Sequence, residues 1–221
     1  MNDIYLDIET LPSQSAEYRA EVRNTITAPA QYKKPESIAQ WIADNGDAAA
    51  DEIVAKTSFN PAHGHICTIG FAIGDEPVET LSIGSNIDLE WDILHEFFEA
   101  LPTQGLNRFI GHYISDFDLR FILNRAIVLG VQLPPSVMFP RDIKPWSDNV
   151  FDTMVAWAGP KDRISLDDLC KALGIPGKDG FDGSMVAEAW ANGEHDKISE
   201  YCRADVERVR SVFRKFAEVG Y

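Results

Sequence analysis

Basic residues are scarce in this chain. Lys and Arg number 20 against 35 Asp and Glu, a formal net charge of −15 over 221 residues. A broad grip on a polyanion depends on Lys and Arg neutralising phosphates. The balance argues against tight or processive binding along a duplex, and favours an anionic ligand held locally. Cysteine is scarce too: Cys67, Cys170 and Cys202 are odd in number and far apart, with no Cys-x-x-Cys pair. That excludes a disulfide framework and a thiolate zinc site, and the three are read as small buried apolar residues. No apolar run approaches the length of a membrane span, and no basic region followed by an apolar run marks a secretory leader. The expectation is a soluble, cytoplasmic protein. His63-Gly64-His65 lacks the further ligands that zinc needs. Gly174-Ile175-Pro176-Gly177-Lys178 lacks the spacing, and the Ser or Thr after Lys, of a nucleotide-cradling loop.

What is present is a globular composition, 45% hydrophobic and 10% aromatic, of a size that fits one domain over residues 1–221. Alternating apolar residues over Ile4–Thr10 predict a first strand. A polar, Ala-rich insertion follows from about 13 to 60, with helices predicted at Ala16–Asn24 and Pro35–Asn45. His65–Ile73 and Val78–Ile83 read as a β-hairpin neighbouring the first strand. A helix over Asp88–Leu101, a strand over Arg108–Gly111 and a helix over Phe117–Leu129 ending at Gly130 come next. Pro134–Ser147 is a Pro-rich loop carrying Arg141 and Lys144. A short strand at Val150–Thr153 leads into a helix over Met154–Ala158, with Asp152 read as its cap. Further helices are predicted at Ser165–Leu173, Ser184–Asn192 and His195–Val219. The expected fold is α/β, a mixed central sheet flanked by helices.

Three segments carry chemistry. In Ile4-Tyr5-Leu6-Asp7-Ile8-Glu9-Thr10 a spacing of two sends Asp7 and Glu9 to the same face of a strand. Adjacent carboxylates repel, and a bound divalent cation relieves that cost. An isolated Asp-x-Glu is more often a solvated pair, by about ten to one, so weight rests on the other two segments. In Gly111-His112-Tyr113-Ile114-Ser115-Asp116-Phe117-Asp118, a strand, a turn and a helix start place Asp118 near the strand's C-terminal end, where ligands of open sheets gather. In Tyr201-Cys202-Arg203-Ala204-Asp205 a spacing of four puts a phenol and a carboxylate on one helix face. Asp205 also has Arg203 and Arg208 close by, a pairing of little weight if solvated.

In this order the three segments resemble the DEDD superfamily of 3′–5′ exonucleases. Tyr201, with three residues between it and Asp205, marks the Tyr-containing branch; the His-containing branch would place His where Glu200 stands. Leu166-Asp167-Asp168-Leu169, then Leu173 to Lys178 and on to Tyr201, is similar to the predicted exonucleases related to the proofreading domain of family B DNA polymerases. One departure is Tyr113, at the place where that family's second motif usually has Asn.

The resemblance implies a ribonuclease H-like fold and two divalent ions, Mg²⁺ or Mn²⁺, suited to oxygen ligands. Asp7 would bridge the ions, Glu9 and Asp205 would complete one site, and Asp118 would hold the other. Tyr201, with an unperturbed pKa of about 10, is a poor base and is assigned to orienting the attacking water. Thr10, Leu11, His112, Tyr113, Phe117 and Lys178 are candidate substrate contacts. Phe59, Trp146 and Phe181 are candidate stacking platforms for terminal bases. The implied substrate is the 3′ end of a single-stranded nucleic acid, DNA before RNA. Two alternatives stay open: an RNA exonuclease of ribonuclease D-like type, and a non-catalytic binding module retaining the fold.

Overall fold

The computed structural model describes residues 1–140, 143–144, 147–177 and 180–221. They divide into two compact units, Met1–Thr10 with Ile66–Tyr221, and Leu11–His65.

The larger unit is built on a five-stranded sheet in the order β3-β2-β1-β4-β5. Its strands are β1 (Asn2–Leu11), β2 (His65–Ile73), β3 (Glu79–Ser82), β4 (Asn107–Gly111) and β5 (Val150–Asp152). β4 runs parallel to both β1 and β5, and β2 and β3 form the antiparallel hairpin expected from their turn. The end of β2 lies beside the start of β1, where Gly74 N donates to Asp3 O at 2.8 Å. The start of β2 lies beside the far end of β1, where the Cys67 thiol meets Glu9 O. These two strands therefore run in opposite directions.

Alternation along β1 decides what each face carries. Tyr5 meets Phe213 of the last helix edge-on at 5.9 Å and joins an apolar cluster with Ile110, Leu169, Val206, Val209 and Phe216. That cluster packs one face of the sheet against α6 (Leu166–Ala172) and α8 (His195–Glu218). Between β3 and α6 in sequence come α3 (Glu90–Ala100), α4 (Asp118–Leu129) and α5 (Thr153–Ala158), and α7 (Val186–Ala191) precedes α8. The rings of Phe71 and Phe97, of Phe98 and Phe139, and of Phe109 and Phe139 meet edge-to-face within 5.6 Å, a second apolar layer that includes α3. α8 can lie close on β2 because residue 70 is glycine: a Cβ there would sit 2.8 Å from Cys202 Sγ.

A buried ion pair ties these elements together. Arg125 of α4 and Glu90 of α3 meet at 2.6 Å with their side chains 4% and 2% exposed, and Glu90 also accepts from Ile66 N at 2.8 Å. Removing one partner strands the other's charge in the interior. Arg125→Met is expected to cost about 3–5 kcal/mol in urea unfolding. A loss under about 1 kcal/mol would place this pair with solvated ones.

In the smaller unit α1 (Ala16–Thr25) is capped by Ser15, whose hydroxyl accepts from Tyr18 N at 3.1 Å. α1 packs on α2 (Pro35–Ala55) through Val22, Ala50 and Val54. The sequence pattern ended this second helix at Asn45, and the structure carries it ten residues further. Asn45-Gly46 reads as a stop, yet Gly46 instead makes room for the Arg23 guanidinium. Arg23 pairs with Asp47 at 2.9 Å and donates to Ile42 O, and the alanines beyond it are strong helix formers. Tyr18 stacks on His63 with centroids 4.0 Å apart. Among the described residues no helix is long and apolar enough to cross a membrane.

Candidate active site

Asp7 and Glu9 continue the row of β1 side chains that Tyr5 begins, on the face covered by α8. There they meet Cys202, and one donor atom from each of the three lies within 4.8 Å of the others. Glu9 is only 6% exposed. Two thiols brace the strand that presents these acids. Cys67 Sγ donates to Glu9 O at 3.3 Å and Cys202 Sγ to Asp7 O at 3.5 Å. Burial, then the charges of Asp7 and Glu9, push the Cys202 thiol well up from its ordinary value. It stays protonated at neutral pH and is a donor to the backbone rather than a thiolate ligand.

Asp118 reaches the same strand from the other side. β1 pairs with β4 only as far as Tyr5 opposite Ile110, and β4 ends at Gly111. Further along that edge, Ile8 N donates to Asp118 Oδ1 at 3.1 Å, so a carboxylate takes the place of a strand carbonyl. Asp118 is 3% exposed. Its pKa is pushed up to about 7, by burial first and by the charge of Asp152, against the lowering effect of its own N–H and that of Ile8.

The turn that delivers Asp118 has its own scaffold. Tyr113 holds φ at 65°, the one positive φ of a non-glycine among the described residues, a conformation that must be held by its surroundings. The holder is Asp152, 1% exposed. It accepts from Tyr113 N at 3.0 Å, from Ser115 N at 3.1 Å and from Ser115 Oγ at 2.7 Å. The same carboxylate caps α5 through Met154 N and Val155 N. The cap expected from sequence is therefore present, and the staple across to residues 113–115 is the part the sequence did not reveal.

From α8, Tyr201 lies near the β1 acids and is hydrogen-bonded to Asp205. Burial raises the Tyr201 pKa above its ordinary value, followed by the charges of Asp205, Glu9 and Asp7 and a hydrogen bond to Asp205. The phenol is thus a donor at neutral pH. Phe181 meets Tyr201 edge-to-face at 5.0 Å, and Lys197 Nζ lies 4.9 Å from the Phe181 ring centre. Asp205 pairs with Arg208 at 2.8 Å, the two side chains 6% and 14% exposed. The solvated pairing considered for Asp205 is instead a largely buried one, and Arg208 is anchored in turn on Gly177 O at 2.9 Å.

The remaining candidates separate clearly. Thr10 and Phe117 are half-buried, and Phe117 packs on Phe121 at 5.5 Å. Leu11 is fully buried, so its side chain is not presented to a ligand. His112 has both ring nitrogens engaged, with Thr153 Oγ1 and with Ile164 O, each at 2.9 Å; it braces the turn. Phe59 is 75% exposed. Lys178, Trp146 and Arg141 lie outside the described residues.

The donor set suits a hard divalent cation: carboxylate oxygens with a neutral thiol behind them. Asp118 is tied to this strand through Ile8 N, and Asp205 through Tyr201, which feels the charges of Asp7 and Glu9.

A mixed sheet of this order, flanked by helices, with acids gathered at one end of β1, is the ribonuclease H-like fold of polymerase exonuclease domains. Residues 57–219 match a family described as "Predicted 3'-5' exonuclease related to the exonuclease domain of PolB", and the chain belongs to that family. The matched span contains Asp118, Tyr201 and Asp205, while Asp7 and Glu9 precede it. Solved structures that resemble the chain include the family B DNA polymerase from the hyperthermophilic archaeon Pyrobaculum calidifontis. The likeness has a TM-score of 0.58 at 15% identity and covers 98% of this chain. The chain spans 24% of that polymerase's length. No curated protein matches the chain.

Proposed function

We propose that this protein is a metal-dependent exonuclease that removes nucleotides from the 3′ end of a single strand, DNA in preference to RNA. The observation that carries the reading is the pairing of Asp7 and Glu9 on β1 beside Tyr201 of α8, which is hydrogen-bonded to Asp205, since clustered carboxylates suit divalent cations. Asp7 and Glu9 would hold one ion with Asp205, and Asp118 would take part in holding a second that Asp7 shares. Ions bound there supply charge neutralisation at the scissile phosphate and a water acidified for attack.

The chain's own groups divide the remaining work. Tyr201 keeps its proton at neutral pH and orients the attacking water as a donor. Arg208 fixes Asp205 in one rotamer through its paired oxygen. The two thiols hold the β1 carbonyls, and so the spacing of the two acids, without adding negative charge. The net charge of −15 fits a substrate held at one end rather than along its length.

Incubation of a 5′-labelled single-stranded DNA oligonucleotide, and of its RNA counterpart, with Mg²⁺ or Mn²⁺ tests this reading. The expected result is a ladder shortening from the 3′ end, lost with EDTA and lost in Asp205→Ala. The preferred strand names the sugar. Folded wild-type protein that leaves both strands intact with either ion would make the chain a binding module instead.

A further inference from the structure

Arg163 is held in an unusual way. Its guanidinium lies over the Tyr113 ring, 4.8 Å from the ring centre, and one of its nitrogens donates to the Tyr113 hydroxyl at 3.1 Å. Among the described residues its holders are neutral, with no carboxylate at ion-pair distance. In a chain with 35 acidic residues and 20 basic ones, a guanidinium without an acidic partner keeps its full charge available. A guanidinium carries five N–H donors in a planar fork suited to phosphate, and the tyrosine hydroxyl engages one nitrogen.

The position is as telling as the charge. Tyr113 sits in the strained turn stapled by Asp152, five residues before Asp118. The neighbouring residue on each side is cross-braced, His112 Nε2 to Ile164 O at 2.9 Å. Contact with the ring and the hydroxyl of one tyrosine restrains the guanidinium before any ligand arrives, so less rotamer freedom is lost on binding. Strained backbone persists where the surroundings enforce it, and such places cluster at functional sites.

We propose that Arg163, presented by Tyr113, is a binding residue for a backbone phosphate of the single-stranded substrate. The inference rests on the exonuclease reading and adds to it a cationic contact outside the acid cluster.

Steady-state hydrolysis of a single-stranded DNA oligonucleotide, measured across salt from about 50 to 200 mM, tests it. Arg163→Ala is expected to raise KM about 10-fold with kcat within about 2-fold, the size of one charge-assisted contact. The plot of log kcat/KM against log salt should become shallower by about 0.7, the slope contributed by one phosphate of a single strand. Arg163→Lys should keep the wild-type slope while recovering only part of the KM, because an ammonium keeps the charge and loses the fork. Tyr113→Phe should raise KM a few-fold with the slope unchanged. A merely structural Arg163 would move the melting temperature and leave the slope alone, and that result overturns the inference while the exonuclease reading stands. A wild-type protein that shortens no oligonucleotide overturns both.

Discussion

Asp7→Asn is expected to abolish metal-dependent cleavage, by at least about 10³-fold, the upper range for loss of a single charge-stabilising group at a reacting centre. The same change should raise the melting temperature of the metal-free protein. Asp7 lies within 4.8 Å of Glu9 by donor atoms, and its charge is felt at Tyr201 and Cys202. Without cations, that crowding is repulsion stored in the fold. Relief on the order of 1 kcal/mol corresponds to a rise of about 2–4 °C in a chain of this size. Added Mg²⁺ or Mn²⁺ should stabilise wild type and have far less effect on the variant, since only a protein that binds the ion gains from it. Retained cleavage in Asp7→Asn would remove Asp7 from the site. A lower melting temperature without metal would show that Asp7 serves the fold.

The opposite signs expected for activity and stability separate a functional acid from a structural one, and the sequence carried part of that distinction. The spacing of two in Asp7-Ile8-Glu9 predicts a shared face, and the row of β1 residues running from Tyr5 places that face under α8. The spacing of four between Tyr201 and Asp205 likewise predicts one helix face, and their hydrogen bond follows from it. Local periodicity suffices in both cases because the partners lie on one element.

Contacts between distant elements were not legible. Cys202 reads as a small core residue, and it is buried, yet its thiol also braces Asp7 O from another element 195 residues away. Asp205 and Arg208 at a spacing of three look like an exposed helix pair. Only burial by the segment carrying Gly177 makes the pairing tight. Arg163 belongs to no motif, because what singles it out is Tyr113 across 50 residues. Even a local feature failed where its meaning depended on a neighbour: Asn45-Gly46 ends a helix by propensity, and in the fold Gly46 admits the Arg23 side chain.

Asp152 shows the same ambiguity in a form that magnitude can decide. As a helix cap alone, its replacement by Ala would cost about 1 kcal/mol, since such caps contribute roughly 0.5–2 kcal/mol. The structure gives the carboxylate three further donors in Tyr113 N, Ser115 N and Ser115 Oγ. Asp152→Ala would leave these groups buried without their acceptor, next to a tyrosine whose φ of 65° has lost its restraint. Stranding several groups hydrogen-bonded to a charge costs more than a cap does. The expected loss is about 3–5 kcal/mol in urea unfolding. Activity should fall beyond what unfolding explains, because the turn that delivers Asp118 to Ile8 N is held by Asp152. Asp152→Asn keeps one acceptor oxygen but turns an amide N–H₂ toward groups that are themselves donors. It should therefore resemble Ala more than wild type. A loss near 1 kcal/mol with full activity would reduce Asp152 to the cap that the sequence predicted and leave the geometry of Tyr113 to be enforced by Gly111, where a Cβ would strike the Ile114 side chain.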